Sequence, residues 1–198
     1  ILEVNEESGY CLVEPGVSYF QLYQHLQEKG YKLWIDCAAP GWGGVIGNAL
    51  EHGAGYTPYA DHFLFSCGME ILLADGQLLR TGMGAMPGNN SWQLFKYGFG
   101  PYVDGMFSQG NFGIVTAFEF RAYPVGPDVW FSVLVHPISQ AADVLRFVRD
   151  YIAEAPEDLG VLATLWSAPD EAFVSREYRG TPAIIVLTFS SRVTLQRM

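Results

Sequence analysis

The chain has 198 residues, 49% hydrophobic, 15% aromatic and only 16% charged, a composition that folds around a core and is not that of a disordered segment. Its formal net charge of −10 argues against nucleic acid or an anionic membrane surface as the main partner. Backbone N–H groups still permit an anionic cofactor. No apolar run reaches the roughly eighteen residues of a spanning helix, and the opening ILEVNEES lacks a signal-peptide pattern. Cys11, Cys37 and Cys67 are odd in number and have no CxxC spacing, which disfavours a disulfide framework and fits a reducing, cytoplasmic compartment. His25, His52, His62 and His136 form no HExxH or HxH pattern, so a metal site has no support in the sequence.

In chain order, ILEV and Tyr10 to Val13 read as strands, and Glu14-Pro15-Gly16 turns out of the second. Ser18 with Gln21 makes a capping-box pattern, Leu22 and Leu26 fall on one helix face, and Gly30 stands where a helix ends. Lys32 to Cys37 is extended and leads into the glycine-dense stretch GWGGVIGNALEHGAGYTPYADHF, Gly41 to Phe63. Glycine density of this kind marks either a surface loop or backbone that must approach a flat or anionic ligand. Gly47 to His52 is expected to be a helical turn with its N-terminus toward that loop. Ile46 stands where GxGxxG, counted from Gly41, would need glycine, so a Rossmann domain is disfavoured.

Asp75-Gly76 between two apolar runs predicts a hairpin with a type I′ turn. Met83 to Gly88 reads as loop and Asn89 to Ser91 as a turn, and Ile114 to Tyr123 alternates as a strand that Pro124 stops. The texture changes at Val125. Trp130 to Val135 predicts a strand, with Ser139 as N-cap of the next helix. That helix carries Ala141, Val144, Leu145, Val148, Tyr151 and Ile152 on one stripe and ends before Pro156. Val161 to Trp166 and Ala183 to Phe189 add two strands, giving the β-α-β-β order of an α+β sandwich with helices on one face. The abrupt start and the polar end SSRVTLQRM are those expected of a piece of a longer protein.

Asp61 and His62 are adjacent, but neighbours on a strand point to opposite faces, so a turn-stabilising Asp and a structural His are expected. Asp36 either reaches a ligand or caps a turn, and Asp104 beside Gly105 is expected to be structural. There is no GxSxG, and Cys37 has no His at a diagnostic spacing, so nucleophilic catalysis has little backing.

Several strings in order carry a family resemblance: YCLVEPGVSYFQLYQHL, LWID, GWGGVIGNALEHGAGYTPYADHF, GMEILLADGQLLRTGMGAMPG and FKYGFGPYVDGMFSQGNFGIVT. Residues 1–124 resemble the FAD-binding (PCMH-type) domain of the vanillyl-alcohol oxidase and p-cresol methylhydroxylase family. From about Phe118, AYPVGPDVW and the β-α-β-β segment look more like FAD-linked oxidases of the glycolate-oxidase or berberine-bridge type. The resemblance implies an α+β fold: the second subdomain of the FAD-binding domain over 1–124, then the start of an α+β substrate (cap) domain over 125–198.

The same resemblance implies FAD as cofactor. Gly43, Gly44, Gly47 and Asn48 would lie along the flavin, Gly53 near its ring, and Gly113, Ile114 and Val115 against it through backbone groups. Tyr56 would be the residue near the substrate or flavin. The aspartate that oxidase members place before the glycine loop is matched here by Ala39, which puts a base-assisted step in doubt, and the pyrophosphate-binding loop has no counterpart in the chain. The implied reaction is hydride transfer from the benzylic carbon of a para-substituted phenol to flavin N5, giving a quinone methide that takes up water or loses a proton. Oxygen or a cytochrome as acceptor, and homo-oligomerisation, stay open. Two alternatives stand beside it: a non-catalytic flavin-domain remnant or interaction module, and an FAD-linked oxidase of hydroxy acids or sugars.

Overall fold

The computed structural model describes residues 1–37, 40–55, 59, 61–98, 100–124, 129–154, 159–166 and 183–191. They fall into two compact units, one made of residues 1–55 and 59–125, the other running from residue 126 onward. The expected Pro156 stop lies outside the described residues.

The first unit is built on β6 (Gly113–Pro124), a twelve-residue strand that serves three others as an antiparallel partner. The main path runs β1 (Glu3–Asn5), β2 (Tyr10–Val13), β6, β4 (Met69–Leu73), β5 (Leu78–Arg80), and β3 (Leu33–Ile35) pairs with the end of β6. Along β6, Phe118 and Phe120 are fully buried with Cys11 and Val13 of β2 and Met69 and Ile71 of β4. A register shift between Glu70 and Ile71 gives β6 one extra residue, and Thr116 Oγ1 at that point donates to the Glu70 carbonyl at 3.2 Å.

Helix α1 (Tyr19–Lys29) closes the core with Tyr19, Leu22 and Leu26, the i, i+3, i+7 stripe of an amphipathic helix. Its capping box forms as expected: Gln21 N donates to Ser18 Oγ at 3.2 Å, and Ser18 N to Gln21 Oε1 at 2.9 Å. Gly30 ends it in the left-handed region at φ 73°, where a side chain would be strained.

Two local expectations change. The helix in the glycine stretch is α2, Val45–Leu50, so it starts two residues early and Gly47 lies inside it; the N-cap is Gly44. The Asp75-Gly76 turn is not type I′, which needs two left-handed residues. Gly76 has φ 84°, but Asp75 is not among the described non-glycine residues at positive φ. Leu73 N donates to Gln77 O at 2.9 Å and Gly76 N to Leu73 O at 3.0 Å. Three residues are therefore bridged, by a type I turn and a left-handed glycine.

The second unit is a three-stranded antiparallel sheet, β7 (Val129–Pro137), β9 (Ala183–Ser191), β8 (Leu159–Trp166), with β9 in the middle. Helix α3 (Ala141–Glu154) packs on β7 and β8, which gives the expected β-α-β-β order. Ser139 does not cap α3; it lies inside a short 3-10 turn, Ile138–Gln140, ahead of it. Of the predicted apolar stripe, Ala141, Val144 and Val148 are half-buried, whereas Leu145 is exposed.

Candidate functional site

The glycine segment is held at its entry by the start of α1. Tyr19 N donates to Gly43 O at 3.2 Å, Phe20 N to Gly41 O at 3.0 Å, and Val45 N to Val17 O at 2.9 Å. Gly41 lies flat on the Phe20 ring; a Cβ there would stand 2.8 Å from it. Trp42 stacks edge-on against Phe20 at 4.8 Å and is 82% exposed. Gly47 is exposed, with no atom within 4 Å of where its Cβ would be. On α2, Gly47 is thus bare backbone facing open space. A flat ring can lie against such a surface without meeting a side chain, so the segment fits a flavin.

Behind this wall lies a buried polar network. Asn48 Oδ1 is 2.6 Å from His62 Nδ1 and accepts from Tyr19 Oη at 2.9 Å; the Tyr19 hydroxyl is also 3.2 Å from His62 Nδ1. His62 Nε2 faces Asp36 Oδ1 at 3.6 Å, with both side chains at most 2% exposed. Phe120 packs edge-on against both the Tyr19 and His62 rings. Burial pushes the Tyr19 phenol pKa up, with Cys37 and Asp36 adding to it, so the hydroxyl stays a neutral donor.

Two glycines are accounted for by this network. A Cβ on Gly53 would overlap the Asn48 amide at 2.2 Å, and one on Gly55 would sit 1.4 Å from Asp36 Oδ1 and 2.8 Å from His62 Nε2. Asp36 and His62 are therefore neighbours, whereas Asp61 is exposed and accepts from Leu64 N at 2.7 Å in its own turn. The link from Asp36 through His62 to Asn48 and Tyr19 had no sequence signal beyond the polar residues themselves.

Of the other expected residues, Gly43 and Gly44 are half-buried on the approach to α2. Gly113, Ile114 and Val115 pair with Leu73, Leu72 and Ile71 of β4 along one edge of β6, while on the other edge β2 pairing begins only at Phe118. Ile114 is exposed and Val115 buried, as alternation requires. Helix α2 packs on β6, and Gln109 N donates to Leu50 O at 3.1 Å, which ties α2 to the segment leading into that strand. Tyr56 and Ala39 lie outside the described residues.

The opposite face of β6 carries a second buried cluster. Glu119, fully buried, accepts from Cys67 N at 2.5 Å, and its Oε1 lies 3.2 Å from Arg121 Nε as an ion-pair contact outside hydrogen-bond geometry. Burial pushes the Glu119 carboxyl up to about 8, against the pull of Arg121, the Cys67 amide and Lys96. Lys96 Nζ caps the carbonyls of Phe63, Leu64 and Ser66 at 2.9, 2.6 and 3.2 Å, and Arg121 donates to those of Ser8 and Gln93 at 3.0 and 3.1 Å. These cations tie loops together.

Residues 1–82 match a family described as FAD binding domain, which identifies FAD as the cofactor. The chain is 40% identical over 187 residues to the 4-cresol dehydrogenase [hydroxylating] flavoprotein subunit of Pseudomonas putida, covering 92% of this chain and 36% of the relative. It superposes on the 4-ethylphenol oxidase of Gulosibacter chungangensis with a TM-score of 0.82 at 32% identity, over 100% of this chain and 42% of the oxidase. Berberine bridge enzyme from Eschscholzia californica shares the fold, with a TM-score of 0.60 at 18% identity, over 98% of this chain and 36% of the enzyme. The chain thus spans well under half the length of each of these proteins.

Proposed function

We propose that this chain, whose residues 1–82 match the FAD binding domain family, is part of an FAD-dependent oxidoreductase that oxidises para-substituted phenols. The observation that carries the reading is the bare, exposed backbone of Gly47 on α2, backed by a buried polar network. Likeness over nearly the whole chain to relatives named for 4-cresol and 4-ethylphenol supports the substrate class. The bound flavin would supply the electron chemistry, accepting a hydride from the substrate's benzylic carbon.

The part played by the chain's own residues is positioning. On this reading Gly43, Gly44, Gly47 and Asn48 form a wall along the ring and Gly113 to Val115 offer backbone groups from β6, with Tyr56 assigned to the substrate side by the family resemblance alone. Bare backbone admits the ring closely, and a network packed beneath it keeps that wall from reorganising as the reaction proceeds. The resemblance matches Ala39 to the position where oxidase members carry an aspartate, so a base-assisted step does not run through that carboxylate here.

The test is anaerobic mixing of the full-length, FAD-loaded protein with 4-ethylphenol, D-lactate and glucose in separate runs. Bleaching of the visible flavin absorbance by the phenol is expected. Bleaching by the hydroxy acid or the sugar and not by the phenol overturns the substrate class. No bleaching by any of them points to the remnant reading, and an inability to hold FAD removes the cofactor role of the wall.

A further inference from the structure

We propose that His62 is a positioning residue: gripped between Asp36 and Asn48, it locks α2 and its glycine face in the geometry that receives the flavin. This inference rests on the reading of that face as a flavin wall.

Helix α2 has six residues, too few to be stable alone, and its Gly44 N-cap has no side chain to cap it. Gly47 in its interior adds chain freedom that something else must remove. The backbone bonds from Val17, Tyr19 and Phe20 secure only the entry. Farther along, Asn48 turns its amide inward, where His62 Nδ1 meets it at 2.6 Å and Tyr19 Oη at 2.9 Å. His62 is fully buried beside Phe120, and its other nitrogen faces Asp36, which directly follows β3. One imidazole therefore connects the backbone before the glycine segment, the helix inside it, and the backbone after it.

The packing leaves this ring little room to move. Gly53 and Gly55 press their Cα atoms onto Asn48 and onto the Asp36–His62 pair, so neither polar contact can shift without displacing main chain. A phenylalanine would fill the volume at 62 but would remove the 2.6 Å contact on Asn48 Oδ1 and the longer 3.6 Å ion-pair contact with Asp36, and a buried amide that loses a hydrogen-bond partner is costly. Asn48 would then keep the Tyr19 hydroxyl but lose its shorter contact, so its amide and the Gly47 backbone beside it would be less tightly fixed while Val45, Ile46 and Ala49 stay seated in the core. The consequence falls on the geometry of Gly47, next to Asn48 in the chain, and of Gly44, one helical turn before it.

The experiment uses the full-length protein carrying His62→Gln, Tyr19→Phe, or both. Three quantities are read: the FAD dissociation constant by fluorescence titration, the shape of the visible flavin band, and the melting temperature of the apoprotein. Each single variant is expected to raise the FAD dissociation constant about tenfold and to alter the band shape. The double variant is expected to be no worse than the weaker-binding single, because both act through Asn48.

A folded variant with unchanged affinity and spectrum overturns the proposal. So do additive effects, and so does a lowered melting temperature with an unaltered flavin spectrum, which marks a merely structural role. Should His62→Gln fail to fold, Tyr19→Phe removes a single hydroxyl and decides alone: unchanged FAD affinity overturns the proposal. Wild-type protein that binds no FAD instead defeats the flavin-wall reading itself, an outcome separable from all of these.

Discussion

Strand β6 separates two buried polar clusters that solve different problems. Phe120 points its ring at Tyr19 and His62, while Glu119 and Arg121 on either side of it point the other way. The cluster on the Phe120 side joins side chain to side chain, across Asp36, His62, Asn48 and Tyr19. The cluster on the Glu119 side is dense in charge and reaches mainly to backbone: Lys96 and Arg121 cap carbonyls, and Glu119 accepts from an amide. On the proposed function, the first backs the surface that receives the flavin; the second ties irregular loops to a sheet. Removing charge should therefore act on stability on one side, and removing shape should act on binding on the other.

The largest expected effect is at Glu119. Replacement by alanine leaves the buried Cys67 amide without its acceptor and removes the carboxyl beside half-buried Arg121, a loss of about 3 kcal/mol measured by urea unfolding. Glu119 also sets a pH dependence of known sign. Its carboxyl is raised from 4.5 to about 8, so the folded state binds the extra proton. Its contribution to stability is complete below about pH 4.5 and is lost as pH rises through about 8. Glu119→Gln should flatten that fall, and an unchanged slope would show that another group carries it.

Next is Gly55→Ala. The added methyl would overlap Asp36 and crowd His62, and should lower stability by about 3 kcal/mol as well as FAD affinity. A normal melting temperature would mean that the loop yields there and that the network is not rigid. Lys96→Met should cost about 2 kcal/mol by leaving three carbonyls uncapped, with FAD affinity untouched. A loss of affinity in that variant would break the division of labour between the two faces.

The smallest and most discriminating change is Gly47→Ala. With open space around it and a helical backbone, the substitution should stabilise the apoprotein by about 0.5–1 kcal/mol. If the face receives the flavin, the same methyl should weaken FAD binding about tenfold, or about 1.4 kcal/mol. Opposite signs in the two measurements would separate binding from folding at a single atom.

The chain's own pattern carried a good deal of this. The capping box at Ser18 and Gln21, the Leu22–Leu26 stripe and the Gly30 stop depend on residues within about a turn or two of one another and are present in the fold, as is a strand over Ile114 to Tyr123, although Pro124 is a paired member of it and Ala117 to Phe120 are buried on both faces. The glycine density of Gly41 to Gly55 was legible too, as was the likeness to an FAD binding domain that residues 1–82 match. Local pattern also misled where pairing decided the outcome. Asp75-Gly76 asks for a two-residue turn, but the pairing of β4 with β5 sets Leu73 opposite Gln77, and three residues must be bridged.

Tertiary structure alone decided which polar residues meet. Asp61 and His62 are adjacent in sequence and act apart, whereas Tyr19 and His62 are 43 residues apart and meet at 3.2 Å. It also divided the glycines by role: Gly53 and Gly55 lack side chains because Asn48, Asp36 and His62 occupy that volume, and Gly47 lacks one beside open space. Glycine content is a property of the chain, but what each missing side chain makes room for depends on atoms that only folding brings together.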